Sequence, residues 1–237
     1  MEIATLAALY GVYELVRGQG HATLAAARSH TDAIVSLERH VHIYGEHALQ
    51  RGVDSLPGLP TLLGIAYILL HFVGTATVLV WIHKRRPAAF PLVRNTLIVS
   101  TAIALTVYVL FPVAPPRLAG LGFADTVSKG AHVNLSSDML GSLYNPFAAV
   151  PSLHFGYALL VGGAIGVLAT RRWVRVLGWA YPVVMLLTIV GTGNHFFFDA
   201  ASGGIVMALS FLIVRRLSGP DAASRSRSRA AAAAATC

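Results

Sequence analysis

Two ionisable residues precede an apolar segment near the end of the chain. Residues 191–204 read GTGNHFFFDAASGG, and the residues that follow, 205–214, are almost all apolar. His195 and Asp199 are four residues apart, so a helix would place them on one face. The carboxylate can bind one imidazole nitrogen, which fixes the tautomer and leaves the other nitrogen as a nucleophile or base. The spacing therefore predicts a chemically active histidine.

Polar residues interrupt the apolar pattern at two other places. The stretch FPVAPPRL (111–118) contains Arg117, and AVPSLHFGYA (149–158) contains Ser152 and His154. Arg117 offers a bidentate fork suited to phosphate, and His154 is a candidate general acid. Backbone N–H groups at the start of the helix after Pro151 could also hold an anion. Together with the His–Asp pair, these groups predict phosphoryl transfer through a phosphohistidine, with no metal and no cofactor.

The composition indicates that these residues lie on membrane-spanning helices. The 237 residues are 55% hydrophobic and only 12% charged, with a mean hydropathy of +0.65, whereas soluble domains carry about twice that charge. Because about 20 apolar residues cross a bilayer, we predict six spans: 3–16, 60–82, 92–111, about 152–170, 174–192 and about 196–214. The predicted fold class is all-α integral membrane, with one domain at 1–217 and a disordered basic tail at 218–237.

Basic residues form three clusters between and after the predicted spans. They are HKRRP (83–87), Arg171, Arg172 and Arg175, and Arg215, Arg216 and the SRSRSR tail. If the helices alternate, all three clusters lie on one side, which the positive-inside rule makes cytoplasmic. Both termini are then cytoplasmic and the candidate site is extracytoplasmic. The Ala- and Arg-rich tail favours a bacterial plasma membrane.

Segment 17–59 is too long for a simple loop between the first two spans. Its mixture of apolar and charged residues predicts an amphipathic helix lying in the membrane interface. Three histidines and two glutamates in this segment could bind a metal, but a solvated helix face explains the same pattern and is preferred; they are His40, His42, His47, Glu38 and Glu46.

A metal is also an alternative for the main site. His154, His195 and Asp199 could supply two imidazoles and a carboxylate to zinc or iron. The HxxxD pattern has no clear third-ligand motif, however, and the neighbouring Arg117 disfavours a cation. The metal-free interpretation is therefore preferred.

The same residues resemble a known family. PSLHFG (151–156), HFFFDAASGG (195–204) and PVAPPR (112–117) are similar to motifs of the type 2 phosphatidic acid phosphatase superfamily, closest to the branch containing inositol phosphorylceramide synthases. The resemblance covers about 92–214. It implies a six-helix membrane fold with a non-cytoplasmic site. It also implies that His195 is the nucleophile paired with Asp199, that His154 donates the proton, and that Ser152 binds phosphate.

Three positions depart from the superfamily pattern. Leu110 replaces a lysine, and Thr188 and Ile189 replace a Ser-Arg pair. A phosphomonoester dianion needs more positive charge than a phosphodiester monoanion, so a lipid phosphodiester donor is favoured. The expected reaction passes its phosphoryl group to water or to an alcohol such as inositol. No nucleic acid partner is expected, and the sequence leaves the lipid, the acceptor, hydrolysis versus transfer, and the oligomeric state open.

Two alternatives concern binding rather than catalysis. His71 lies within the second predicted span, one turn after Tyr67. Because a buried polar group needs a partner, these residues either form interhelical hydrogen bonds or contact a substrate headgroup. For the whole chain, the non-catalytic alternative is a lipid or polyprenyl-phosphate carrier that uses Arg117 and the histidines only to bind.

Overall fold

The computed structural model describes residues 23–127 and 145–218, which form seven helices. They are α1 (Leu24–His40), α2 (Glu46–Asp54), α3 (Leu59–Arg85), α4 (Phe90–Leu110), α5 (Leu153–Leu168), α6 (Arg172–Gly191) and α7 (Phe197–Ser218). The described residues contain no β-strand beyond an isolated parallel bridge between Val113 and Ala148. The predicted all-α class is confirmed.

Four of these helices, α3, α4, α6 and α7, are long and apolar enough to cross a membrane. They indicate an integral membrane protein, and each matches a predicted span within a few residues. α5 also matches, but its 16 residues extend only about 24 Å, less than the roughly 30 Å of a hydrocarbon core. The predicted span at 3–16 and the tail at 219–237 lie outside the described residues, so the count of six spans stays a prediction.

The segment before α3 differs from its prediction. It contains two helices rather than one, because a turn at 41–45, with His42 at a φ of 60°, separates α1 from α2. Glu38 and Glu46 are completely buried. The prediction that they belong to a solvated helix face is therefore wrong for both. The location of this segment in a membrane interface stays a prediction.

Glycines allow α5 to approach α6 and α7 closely. A Cβ atom on Gly162 of α5 would lie 2.5 Å from the carbonyl oxygen of Gly178 on α6. A Cβ atom on Gly203 of α7 would overlap the backbone carbonyl of Ser152, just before α5. Small residues are the usual means of close packing between membrane helices. They place the start of α5 directly against the first turns of α7.

Hydrogen bonds at the two ends of the bundle define its polarity. At one end Arg86 Nε donates to the carbonyl of Leu168 at 3.1 Å, which joins the ends of α3 and α5 close to the basic clusters. At the opposite end the Tyr108 hydroxyl donates to the carbonyl of Pro151 at 2.7 Å, which joins the end of α4 to the start of α5. The stretches with the candidate site residues therefore meet at the end away from the three basic clusters.

We expect Gly203→Ala to destabilise the protein, because the new methyl group would collide with backbone that cannot move independently. Overpacking of this kind typically costs about 1–3 kcal/mol. Gly204→Ala is the matched control, since its Cβ atom would meet side chains rather than backbone: the end of Leu159 at 3.2 Å and the ring of Phe155 at 3.5 Å. Thermal unfolding in detergent should show a lower Tm for Gly203→Ala alone, and equal Tm values would contradict the packing argument.

Candidate active site

His195 and Asp199 meet at the junction between α6 and α7. Gly193, just after α6, has a φ of 68°, in the left-handed region that favours glycine at a helix C-terminus. The backbone N–H groups of Asn194 and His195 both donate to the carbonyl of Ile189 at 3.1 Å. This turn brings His195 Nδ1 to 3.2 Å from Asp199 Oδ2.

The contact does not come from a shared helix face, because α7 begins at Phe197 and His195 precedes it. Asp199 Oδ2 also accepts a hydrogen bond from the backbone N–H of Phe196 at 2.9 Å, so the carboxylate caps the helix and holds the imidazole at once. Both side chains are almost completely buried. With Nδ1 engaged, Nε2 is the nitrogen left for nucleophilic attack.

His154 lies within a stack of aromatic rings. Its ring centroid is 4.2 Å from that of Tyr67 and 4.0 Å from that of His71, both on α3. The ring centroid of His195, at the junction between α6 and α7, lies 5.6 Å from that of His154. His154 Nε2 is buried and has no hydrogen-bond partner among the described residues. Since such a nitrogen is costly to leave unbonded, a substrate oxygen would satisfy it.

A π-helical turn at Leu70–Gly74 within α3 positions His71. Turns of this kind occur frequently at functional sites. The Tyr181 hydroxyl of α6 donates to the carbonyl of Leu70 at 2.6 Å. The His71 ring also stacks on Tyr157 at 5.2 Å, and the Tyr157 hydroxyl is hydrogen-bonded to Thr101 Oγ1 at 2.5 Å. His71 Nδ1 is itself buried without a partner in the described part of the chain.

The three histidines line one cavity of about 230 Å³, together with Tyr67 and Asn194. This volume is below the roughly 300–1,000 Å³ of typical small-molecule pockets, so it suits a phosphoester headgroup rather than a whole lipid. A larger cavity of about 420 Å³ lies toward the basic end of the bundle, but every residue that lines it is apolar. It offers no group for phosphoryl chemistry.

Arg117 is bound to Asn194, the residue before His195, and is not among the residues that line the cavity. Its Nε donates to Asn194 Oδ1 at 2.9 Å, and its backbone N–H donates to the carbonyl of Gly193 at 3.0 Å. Asn194 Nδ2 in turn donates to Thr192 Oγ1 at 2.9 Å, which fixes the orientation of the amide. The sequence analysis missed Asn194, because an asparagine next to a histidine has no spacing that marks it.

Ser152 lies behind the cavity and is not among the residues that line it. Its buried Oγ accepts from the backbone N–H of Phe155 at 3.4 Å, as the N-cap of α5. Its own backbone N–H donates to the carbonyl of Asp199 at 2.9 Å. In this structure Ser152 therefore caps α5 and ties it to α7 next to the His–Asp pair.

Helix α1 fixes the loop that carries Arg117. Thr31 Oγ1 donates to the carbonyl of Ala114 at 2.8 Å, and Arg28 Nε donates to the carbonyl of Leu118 at 2.9 Å. These bonds lie on both sides of Arg117. A helix outside the four long spans thus contributes directly to the geometry of the site.

Neither candidate metal cluster is assembled as a ligand set. Over residues 23–127 and 145–218, no group of three or more His, Cys, Asp or Glu side chains is arranged to hold a metal ion. His47, from the first cluster, instead stacks on Phe123 with ring centroids 3.7 Å apart.

Comparison with known proteins identifies the family. The family model for the PAP2 superfamily matches residues 32–213. Because the match covers well over half of the chain, the protein belongs to this superfamily, whose members are generally phosphatases or phosphotransferases. Comparisons with curated proteins and with solved structures found no significant match. The family match begins within α1, so it includes helices that the resemblance by motifs did not cover.

We expect Asn194→Ala to lower kcat/KM for phosphoester turnover by about 10- to 100-fold, because a hydrogen bond to a charged group is worth about 1.5–3 kcal/mol. The arginine would lose the contact that orients it. Asn95→Ala is the control. Asn95 lies near the start of α4, whereas Arg117 follows the end of that helix, so this variant should match the wild type. Steady-state kinetics of both variants test the prediction, and unchanged kcat/KM in Asn194→Ala would show that this contact does not orient Arg117 for the reaction.

Proposed function

We propose that this protein is a membrane-embedded phosphotransferase or phosphatase of lipid phosphoesters that works through a phosphohistidine at His195, without a metal. One observation carries the proposal. Asp199 holds His195 through Nδ1, and the His195 ring lines the same cavity as His154. A nucleophile and a proton donor that line one small cavity are what phosphoryl transfer requires.

In the first step Nε2 of His195 attacks phosphorus. The bond from phosphorus to the leaving oxygen breaks, and His154 gives that oxygen a proton. Asp199 stabilises the positive charge that develops on the imidazole, as in other buried carboxylate–histidine pairs. Arg117, oriented by Asn194, stabilises the charge on the phosphoryl oxygens.

In the second step water or an alcohol resolves the intermediate. The acceptor oxygen attacks phosphorus, its proton passes to the now neutral His154, and the N–P bond of His195 breaks. Both histidines return to their starting states, so the cycle balances without a further reactant. Water gives hydrolysis, and an alcohol such as inositol gives transfer.

The charge of the site supports a phosphodiester donor. Leu110, Thr188 and Ile189 are uncharged and do not line the cavity, so none of the three positions adds a cation to it. A monoanionic diester needs less positive charge than a monoester dianion. We therefore favour transfer to an alcohol, as in the inositol phosphorylceramide synthase branch, with His71 and Tyr67 as contacts for the headgroup.

The end-to-end polarity of the bundle supports an extracytoplasmic site. The hydrogen bond from Arg86 to Leu168 lies at the basic end, and the cavity lies at the other end with Tyr108 and Pro115. By the positive-inside rule the basic end is cytoplasmic. The substrate would then be a lipid of the outer leaflet.

The decisive experiment compares wild type, His195→Ala and His83→Ala in detergent with EDTA. His83 is an exposed histidine at the basic end of α3, so its variant is the matched control. Radiolabelled lipid phosphomonoesters and phosphodiesters are supplied with and without inositol. We expect wild type and His83→Ala to make a labelled inositol phospholipid only when inositol is present. His195→Ala should lose at least about 10³-fold in rate, because it lacks the nucleophile.

The other outcomes are equally informative. Free phosphate from monoesters would identify a phosphatase and refute the charge argument. Full activity of His195→Ala would refute the phosphohistidine mechanism, and loss of activity with EDTA would favour a metalloenzyme. Lipid binding without turnover in any lane would favour the carrier.

Topology can be tested through cysteines, because Cys237 is the only one in the chain. In right-side-out spheroplasts, a membrane-impermeant thiol reagent should label Cys237 only after permeabilisation. In a Cys237→Ser background, Leu56→Cys should be labelled without permeabilisation, since Leu56 is 55% exposed in the turn before α3, at the site end. The reverse pattern would place the site in the cytoplasm.

A further inference from the structure

Two buried glutamates hold the N-terminus of α7 from other helices. Glu46 Oε1, on α2, accepts from the backbone N–H of Phe197 at 3.0 Å, and Glu38 Oε1, on α1, accepts from that of Phe198 at 2.6 Å. Both glutamate side chains are completely buried. They bind the two residues just after Phe196, whose N–H binds Asp199. Three carboxyl groups thus converge on one turn of helix.

The second carboxyl oxygens of the two glutamates do not bind the backbone of α7. Oε2 of Glu38 and Oε2 of Glu46 are buried without an N–H donor or a basic partner in the described part of the chain. Their Oε1 atoms bind the N–H groups of consecutive residues, so the two carboxyl groups are neighbours. Two adjacent buried carboxylates repel strongly, whereas one shared proton creates a short O–H···O⁻ bond. The geometry therefore favours one proton and one negative charge on the pair.

The surrounding charges favour the same state. Glu38 faces Glu46 on α2 and Asp199 on α7, both acidic. Tyr44 lies in the adjoining turn, and the Arg39 guanidinium lies 4.9 Å from the Tyr44 ring centroid. Burial, together with the hydrogen bond to Glu46, raises the pKa of Glu38 to about 9. A single charge on the pair complements the positive end of the helix dipole, but a second would add to that of Asp199.

We propose that Glu38 and Glu46 share one proton and act as positioning residues for the His195–Asp199 pair, and that removal of this proton at alkaline pH displaces the start of α7. The inference builds on the function proposed above. Neither glutamate lines the cavity, so they act through the turn that carries the nucleophile. Their expected effect is on kcat, with little change in KM.

The raised pKa of Glu38 determines the direction in which stability changes with pH. The pKa of Glu38 is raised in the folded protein, so its contribution to stability is complete below the unfolded pKa of about 4.5 and decreases as pH rises to about 9. Above about 9 the pair carries two charges. We expect wild-type kcat to fall about tenfold per pH unit there, as for loss of one essential proton. The decrease in Tm from this group should instead occur as pH rises toward about 9 and should end there.

Glu38→Gln is the diagnostic variant. Its amide oxygen can accept from Phe198, and its NH₂ group can donate permanently to Glu46. We expect kcat near neutral pH to be within about twofold of the wild type and the alkaline decrease to be absent. Glu46→Gln should behave in the same way, and it replaces Glu38→Gln in the test if that variant folds poorly. Glu38→Ala should lose activity at every pH, since it leaves buried groups unpaired. Asp32→Asn, an exposed acid on the same helix, is the control and should keep the wild-type profile.

Infrared spectroscopy separates this inference from the proposed function. The C=O stretch of a protonated carboxyl differs from that of a carboxylate, so the wild type near neutral pH should show a carboxylic acid band that Glu38→Gln lacks. Absence of that band would overturn proton sharing even if the enzyme is active. An alkaline decrease that persists in both Gln variants would overturn the positioning role. If no lipid is turned over, the infrared and Tm profiles still decide whether the pair shares a proton.

Discussion

The start of α7 imposes the main constraint on this structure. The first N–H groups of a helix have no partner within the helix, and here they are buried. Asp199 binds one of them, and Glu46 and Glu38 bind the next two. Because His195 immediately precedes this turn, the position of the nucleophile depends on how these N–H groups are satisfied. The carboxyl groups at the start of an apolar helix thus serve both structure and chemistry.

The helices outside the long spans connect the two halves of the site. α1 binds the Arg117 loop through Thr31 and Arg28, and it binds α7 through Glu38. α2 adds a reciprocal pair of 3.0 Å bonds between the Gln50 amide and the backbone of Ala124. Loops without regular structure must find partners for their buried backbone groups. These short helices supply them, and in doing so they fix the loop that carries Arg117.

The helices of the bundle pack against one another for a different physical reason from the hydrogen bonds made by α1 and α2. Lipid is as apolar as the helix surfaces, so close contact comes from small residues rather than from the hydrophobic effect. Gly162 and Gly178 join α5 to α6, and Gly203 lies against the backbone of Ser152. The same contact brings the start of α5, with His154, to the His195 side of the cavity. Gly203 therefore couples close packing within the bundle to the geometry of the site at its end.

Local patterns in the sequence were sufficient to predict several of the helices and site residues. Runs of about 20 apolar residues locate the long helices, because a bilayer demands them. The four-residue spacing of His195 and Asp199 pointed to their contact, but the contact comes from helix capping by Asp199 and not from a shared helix face. The family motifs marked His154 and Arg117. The motif gave Ser152 a phosphate-binding role, whereas its side chain caps α5 away from the cavity.

Other features depended on residues far apart in the chain. Glu38 and Glu46 looked like solvated charges but are buried against residues more than 150 positions away. The π turn at His71 and the hydrogen bond from Arg117 to Asn194 leave no periodic signal. Burial decides whether a carboxylate is a surface charge or a helix cap, and burial is set by which helices pack together. Spacing along the chain determined the chemistry available to this protein, and only tertiary packing decided which side chains position it.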